Sequence, residues 1–197
     1  MGDDVQRFDC WSNTYEDCWC QRYFDRLHKL MLDLISAEAP DLNPSAILDL
    51  GCGTGRLLRR VAARWPAAQL IGIDPAQGMI EVAQELMPAA IFRQGFAESL
   101  PLGDASVDLV VSSVSMHHWS NASLGVREVA RVLRGTGLFC LTDIALPTWL
   151  SRLFGSKAKS RRATRDLLTQ SGLQIRRQEE AFAGFVLVSV TSKGEPH

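Results

Sequence analysis

Three glycines, Gly51, Gly53 and Gly55, fall within the stretch ILDLGCGTGRLLRRV (residues 47–61), between a strand-like apolar run and a helix-forming one. Without side chains they let a ligand approach the backbone and accept angles that other residues resist. The helix start beyond them offers free N–H groups and a partial positive charge, which suits a carboxylate or a phosphate. A dinucleotide loop has the form G-x-G-x-x-G. Here the third glycine comes one residue early and Arg56 stands where that pattern needs Gly or Ala, so the spacing G-x-G-x-G points to a different nucleotide. About twenty residues further on, LIGIDPA places Asp74 at the end of a second strand, where its carboxylate can accept from ribose hydroxyls. The simpler reading, a tight turn with Asp74 capping a helix before Pro75, accounts for each part but not for their combination.

A second group with chemical potential is His117 and His118 in SVSMHHW, after a fourth predicted strand, with Asp143 in FCLTDIA at the end of a fifth. Neighbouring strands deliver these residues to one rim of a sheet, where an Asp can orient a His base. The plainer alternative has one His starting a helix, the other packing beside a ligand and Asp143 in a solvated loop. The five cysteines, Cys10, Cys18, Cys20, Cys52 and Cys140, are odd in number and lack the paired spacing of a disulfide framework or a zinc site, so free thiols and no metal are expected.

The elements that must position these residues follow from periodicity. Trp19, Tyr23, Leu27, Leu30, Met31, Leu34 and Ile35 recur every three to four positions and predict one amphipathic helix over 14–36, which Pro40 and Pro44 end. Strands are then predicted at 46–50, 69–74, 90–94, 107–112 and 138–144, with helices at 56–65, 77–87 and 120–133 between them. Such alternation implies βαβ units and a parallel sheet wound by right-handed crossovers. A helix over 163–171 precedes two strands, 173–179 and 185–191, whose connection through Gly184 is too short for a crossover helix. Only an antiparallel hairpin fits, so the sheet is mixed at that edge.

The chain has 197 residues, 46% of them hydrophobic, enough for one core. A single domain is expected: a helical lid over 1–43, a core over 44–145, a basic loop over 146–162, and a helix with a hairpin over 163–197. A net charge of −1 gives no general basicity for nucleic acid. There is no apolar run of membrane-spanning length, and the start of the chain has neither a basic stretch nor an apolar core suited to secretion, so a cytoplasmic protein is expected.

Taken in this order and at this spacing, ILDLGCGTGRL, LIGIDPAQGMIEVA, AESLPLGDASVDLVVSSVSMHHW and REVARVLRGTGLFCLTD closely resemble the class I S-adenosylmethionine-dependent methyltransferases, particularly the type 11 group that includes quinone-biosynthesis enzymes. The likeness is strong over about residues 46–145 and weaker over the final hairpin. It implies a Rossmann-like α/β fold, with a seven-stranded mixed sheet of order 3-2-1-4-5-7-6, the last strand antiparallel and helices on both faces. It also implies S-adenosylmethionine as cofactor, with S-adenosylhomocysteine as product. Carried over by position, Asp49, Gly51, Gly53 and Gly55 would line the amino-acid end, Asp74 would hold the ribose, and Gln77 and Met79 would lie near the adenosine. Ala97 would flank the adenine and Ser112 would face the methionine portion, while Cys52, Pro75, Phe96 and Glu98 fall in the same cofactor-binding set. Family members commonly carry an acid just before the residue matching Ala97, where it meets the adenine amino group; this chain has Phe96.

A sulfonium methyl donor is already activated, so alignment and exclusion of water supply much of the acceleration. A base is needed only where the acceptor must lose a proton, and His117, His118 and Asp143 are the candidates for that task. In some sugar and small-molecule O-methyltransferases of the family, residues at these positions are held to act so. For the acceptor, the aromatics Phe8, Trp11, Tyr15, Trp19, Tyr23 and Phe24 suggest a lid over a small, bulky or partly apolar molecule, with Trp11, Tyr15 and Trp19 as its contact residues.

Alternatives remain. Cys10, Cys18 and Cys20 could hold trivalent arsenic as acceptor. The stretch at 152–165 carries Arg152, Lys157, Lys159, Arg161, Arg162 and Arg165, which could touch a membrane or a carrier protein, or form a solvated loop. A macromolecular acceptor is disfavoured because SVSM stands where an Asn/Asp-Pro-Pro-Tyr tetrapeptide would be, and a nicotinamide oxidoreductase is disfavoured by the early third glycine. A cofactor sensor without turnover and a homodimer are both compatible with the sequence.

Overall fold

A computed structural model describes residues 2–17, 21–146, 153 and 158–194. Seven strands form one sheet in the order β3-β2-β1-β4-β5-β7-β6. They are β1 (Ala46–Leu50), β2 (Gln69–Asp74), β3 (Ile91–Gln94), β4 (Val107–Ser113), β5 (Leu133–Ile144), β6 (Leu173–Ala181) and β7 (Val186–Lys193). β1 to β5 run parallel, while β7 is antiparallel to both β5 and β6. Hairpin and mixed edge are thus as the short Gly184 connection requires.

Every residue of β1 is buried, as expected of a central strand covered on both faces. Leu48 and Leu50 join Val110, Phe139 and Leu141 in one cluster, beneath Val126 and Val129 of helix α5 (Ala122–Val132) and Leu168 of helix α6 (Arg161–Gln170). Ile47, on the opposite face, joins Leu109, Val111 and Cys140 beneath Met31 and Ile35 of helix α2 (Gln21–Glu38) and Val61 of helix α3 (Arg56–Arg64). Strand alternation places Asp49 on this same α2 face, so a carboxylate lies where the pattern otherwise demands carbon. Helix α4 (Gln77–Leu86) leans on α3 through Leu58, Ile80 and Ala83 around Phe92.

The N-terminal region departs from the expected single helix over 14–36. Two helices form instead, α1 (Gly2–Tyr15) and α2. Beyond Tyr15 the chain turns, with Asp17 N–H bonded to Thr14 O, and the Glu16 side chain is drawn to Thr54, Arg56 and Arg59. Those contacts compete with continuing the helix. β5 also begins five residues earlier than its apolar pattern predicts, through a register irregularity between Val107 and Leu109. His117 and His118 lie in a single 3₁₀ turn, Met116–His118. No helix among the described residues is long and apolar enough to cross a membrane.

Candidate active site

The carboxyl ends of β1, β2 and β4 open into a cavity of about 620 Å³. Its floor is Gly51, Cys52 and Gly53; Asp74 and Met79 form one wall, Ser113, Val114 and Ser115 another, and Phe8, Trp11 and Tyr15 of α1 close it from above. The loop is held by Gly51 N–H to Ile73 O at 2.8 Å and by Gly53 N–H to Asp74 Oδ2 at 2.9 Å. Asp74 Oδ1 accepts from Ala76 N–H at 2.9 Å, so one carboxylate ties the glycine loop to the start of α4.

Polar atoms without a protein partner gather at the inner end. Asp49 Oδ2, Ser113 Oγ, Gln21 Oε1 and His28 Nδ1 are buried and make no hydrogen bond, although their residues line the cavity. Such groups are costly unless a ligand or water satisfies them. Burial, reinforced by the nearby Asp74, pushes the Asp49 carboxyl up to about 8. Asp74 is raised by burial to about 6, against the pull of the Ala76 and Gly53 N–H groups. Burial and Arg60 drive His28 down to about 4, leaving a neutral imidazole, and burial beside Asp74 takes the Tyr15 phenol to about 12. A cavity with two buried carboxyl groups, a floor free of side chains and an aromatic cover fits a ligand with a cationic end that lies against backbone.

At the rim, His117 Nδ1 lies 2.6 Å from Asp143 Oδ1, and His117 N–H donates to Asp143 Oδ2 at 2.8 Å. The His118 ring lies 4.0 Å from that of His117 and packs edge-on to Phe8 at 5.3 Å. His118 lines the cavity, whereas His117 and Asp143 stand behind it. Val114, at the end of β4, is held at φ +52 with its N–H bonded to Thr142 O at 2.7 Å. For a β-branched residue this conformation stores roughly 1–3 kcal/mol, and strain of this kind clusters at functional sites.

Two polar attachments hold α1 over the cavity. Asp9 Oδ1 accepts from Gly78 N–H at 2.8 Å, capping α4 from outside, while Glu16 accepts from Thr54 Oγ1 and pairs with Arg56 and Arg59 at 2.9 Å each. Burial alone would raise the Glu16 carboxyl, but Thr54, Arg59 and Arg56 outweigh it and hold it below its ordinary value. Glu16→Gln is expected to reduce hydrogen-exchange protection of α1 by about tenfold, the scale of a charge-assisted bond, while α3 keeps its own. Unchanged protection would mean that the Asp9–Gly78 bond and the aromatic contacts hold the lid without Glu16.

Of the residues singled out in the sequence, Asp49, Gly51, Cys52, Gly53, Asp74, Pro75, Met79, Phe96, Ala97, Glu98, Trp11, Tyr15 and His118 line the cavity. Others stand elsewhere. Ser112 is fully buried with Val110 on the α5 face, and its neighbour Ser113 takes the lining position by strand alternation. Gln77 is exposed and bonds Glu81 along its own helix, and Gly55 lies against Phe92. Trp19, Cys18 and Cys20 lie outside the described residues, as does much of the basic stretch. Gln21, His28, Thr54 and Ser115 escaped the sequence reading; a polar residue on the apolar face of α2 was the only signal available for His28.

This sheet order, with a glycine loop between β1 and α3 and an acid at the end of β2, defines a class I methyltransferase fold. The model of the methyltransferase domain family matches residues 48–141. A malonyl-[acyl-carrier protein] O-methyltransferase of Dechloromonas aromatica is 30% identical over 145 residues, covering 73% of this chain and 51% of that protein. An uncharacterized methyltransferase of Bacillus subtilis, YcgJ, is 38% identical over 106 residues, covering 51% of this chain and 41% of its own length. The chain therefore spans about half the length, or less, of these relatives. Among solved structures, the YcgJ crystal structure aligns with a TM-score of 0.71 at 21% identity, covering 85% of this chain and all of that one. A Haloferax volcanii methyltransferase in complex with its Trm112 activator reaches 0.79 at 18% identity, covering 95% and 98%. Residues 48–141 belong to the type 11 family of class I S-adenosylmethionine-dependent methyltransferases.

Proposed function

We propose that the chain transfers the methyl group of S-adenosylmethionine to a small, partly apolar molecule within this cavity. The observation that carries the reading is the pairing of two buried carboxyl groups, Asp49 and Asp74, with a side-chain-free floor at Gly51 and Gly53 under an aromatic cover. Asp49, with an unpartnered oxygen, suits the ammonium of the amino-acid end, and Asp74 the ribose hydroxyls. The cofactor supplies an activated methyl on a sulfonium. Phe8, Trp11 and Tyr15 exclude water above the site and offer ring faces that favour a cation. Where the acceptor must lose a proton, the His118 imidazole takes it, and His117, fixed through Nδ1 by Asp143, holds the neighbouring ring in place.

Incubation with methyl-labelled S-adenosylmethionine and fractionated cell extract tests the reading. Label in a small-molecule pool supports it; label in RNA or protein side chains overturns the acceptor class; cofactor binding without transfer to any pool favours a sensor. With a hydroxyl acceptor in hand, His118→Ala is expected to lower the rate by about 100-fold, and Asp143→Asn by less. Retention of most activity in His117→Ala, His118→Ala and Asp143→Asn would remove the base from the mechanism.

The relatives named malonyl-[acyl-carrier protein] O-methyltransferases favour a second reading, a carboxylate acceptor presented on a carrier. A carboxylate is already ionised near neutral pH and needs no base, so label recovered as the methyl ester of a carrier-bound acid, together with silent histidine variants, distinguishes it.

A further inference from the structure

The wall beyond Asp74 changes character. Pro75, the Met79 thioether, the Phe96 ring and the Ala97 methyl succeed one another along it. The carboxylate in this part of the wall, Glu98, directs Oε1 to Asn121 N–H at 2.8 Å, at the start of α5. The Asp74 oxygens face Gly53 and Ala76. Phe96 is 42% exposed, unusual for a large apolar ring, while its backbone is fixed by Ser99 N–H to Phe96 O at 3.2 Å and by the preceding Gly95 N–H to Asp74 O at 3.0 Å. Gly95 has little room for a side chain, since a Cβ there would lie 3.1 Å from Ile73 Cγ2. A rigid backbone thus presents a flat apolar surface to the cavity, next to the carboxylate suited to a ribose.

We propose that Phe96 recognises the cofactor's purine by its face rather than its edge, so that the site discriminates little at the exocyclic 6-position. This rests on the reading of the cavity as an S-adenosylmethionine site. A stacked ring attracts any purine by dispersion and contact area, because every base has a π-face. An edge reader instead needs an acceptor aimed at the amino group and rejects a base that lacks it, because buried polar groups are then left unpaired. The side chain at this position can do only the first.

Calorimetry with S-adenosylhomocysteine and S-inosylhomocysteine, in which a carbonyl replaces the 6-amino group, separates the two modes. The protein is expected to bind both within about threefold, and Phe96→Ala to weaken both about tenfold, within the range of base–aromatic stacking. Phe96→Asp, at a position exposed enough to spare the core, is expected to favour the adenosyl compound by at least about tenfold. Rejection of the inosyl compound by 30-fold or more in the unmodified protein overturns the proposal, because backbone groups must then read the edge; so does a Phe96→Ala variant with unchanged affinities. Failure of S-adenosylhomocysteine itself to bind overturns the cofactor reading, a different outcome from either.

Discussion

Gly51→Ala is expected to cost the protein cofactor binding and roughly 5–15 °C of melting temperature together. Gly51 adopts φ +74, and a Cβ there would fall 2.0 Å from Ser115 Oγ and 2.5 Å from Ser115 Cβ. Neither atom is a free end. Ser115 Oγ accepts from Trp119 Nε1 at 2.9 Å, and Trp119 in turn lies against Gly125, where a Cβ would be 2.5 Å from its ring. The added methyl must therefore move the β4 rim, at an overpacking cost of about 1–3 kcal/mol, plus about 1 kcal/mol for the left-handed angle. A floor displaced by about 1 Å accounts for an affinity loss of about 100-fold. Gly53→Ala is the control. Gly53 has φ +51, yet nothing lies within 4 Å of its Cβ position, so only the backbone term acts, about 2–4 °C, while the methyl still intrudes on the cavity. Thermal melts and calorimetry with S-adenosylhomocysteine check both. A Gly51→Ala protein with native melting and binding would show that the loop is free to take another conformation. Ser115→Gly in the Gly51→Ala background removes the clashing hydroxymethyl and is expected to recover the overpacking loss only.

The core was legible because its signals are local. β1, β2 and β4 read as continuous apolar runs since the sheet covers both their faces, and the glycines between β1 and α3 announce a turn that only such residues make easily. The pairing of His117 with Asp143 was legible for a topological reason: β4 and β5 are adjacent and parallel, so their ends meet whatever the side-chain detail. What escaped depends on contacts distant in sequence. Thr54 and Arg56 look like loop and helix residues until Glu16, some forty positions earlier, is seen to hold them. The break after Tyr15 leaves no mark in helical periodicity, because an amphipathic pattern continues across it. Ser112 against Ser113 is a matter of phase, and the alternation of a single residue decides which hydroxyl meets the cavity.

The α1 lid ties these points together. Arg56 occupies the position where a dinucleotide loop needs a small residue, and the structure gives it work there: Nε and Nη2 hold Asp25 of α2 at 2.9 and 3.1 Å while Nη1 holds Glu16. The residue that excluded one cofactor class from the sequence thus anchors both N-terminal helices to the glycine loop, so closure of the cavity and integrity of the loop are coupled through one guanidinium. A dinucleotide fold with Gly or Ala at this position lacks that anchor.

Asp49→Asn is expected to stabilise the unliganded protein above neutral pH while weakening its affinity for S-adenosylhomocysteine by roughly 100-fold. The sign follows from the proton count. The folded-state value of the Asp49 carboxyl, about 8, stands above its ordinary 3.8, so the folded chain keeps a proton that the unfolded chain has released. Stability therefore falls as pH rises through that window, by up to about 1.4 kcal/mol per pH unit. Asp74, raised to about 6, and His28, lowered from 6.5 to about 4, have largely completed their changes by about pH 7. Between about pH 7 and 8 the decline is mainly that of Asp49. Asn at this position carries no charge to desolvate, so the variant's melting temperature is expected to hold steady across this interval and to exceed the unmodified protein's at pH 8. Ligand affinity runs the other way. An ion pair between Asp49 and the ligand ammonium retains one proton, whereas below pH 8 the separated partners carry two, so binding releases a proton and tightens by up to about tenfold per pH unit. Above pH 8 the free α-amino group, with an ordinary value of about 7.7–8.0, has lost its own proton and the trend reverses. Affinity is expected to peak near pH 8 and to lose most of this dependence in Asp49→Asn. Calorimetry in buffers of different ionisation enthalpy counts the proton directly. A proton release of zero at pH 7, or a variant that binds as tightly as the unmodified protein, would mean that the unpartnered Asp49 oxygen meets water rather than the ammonium.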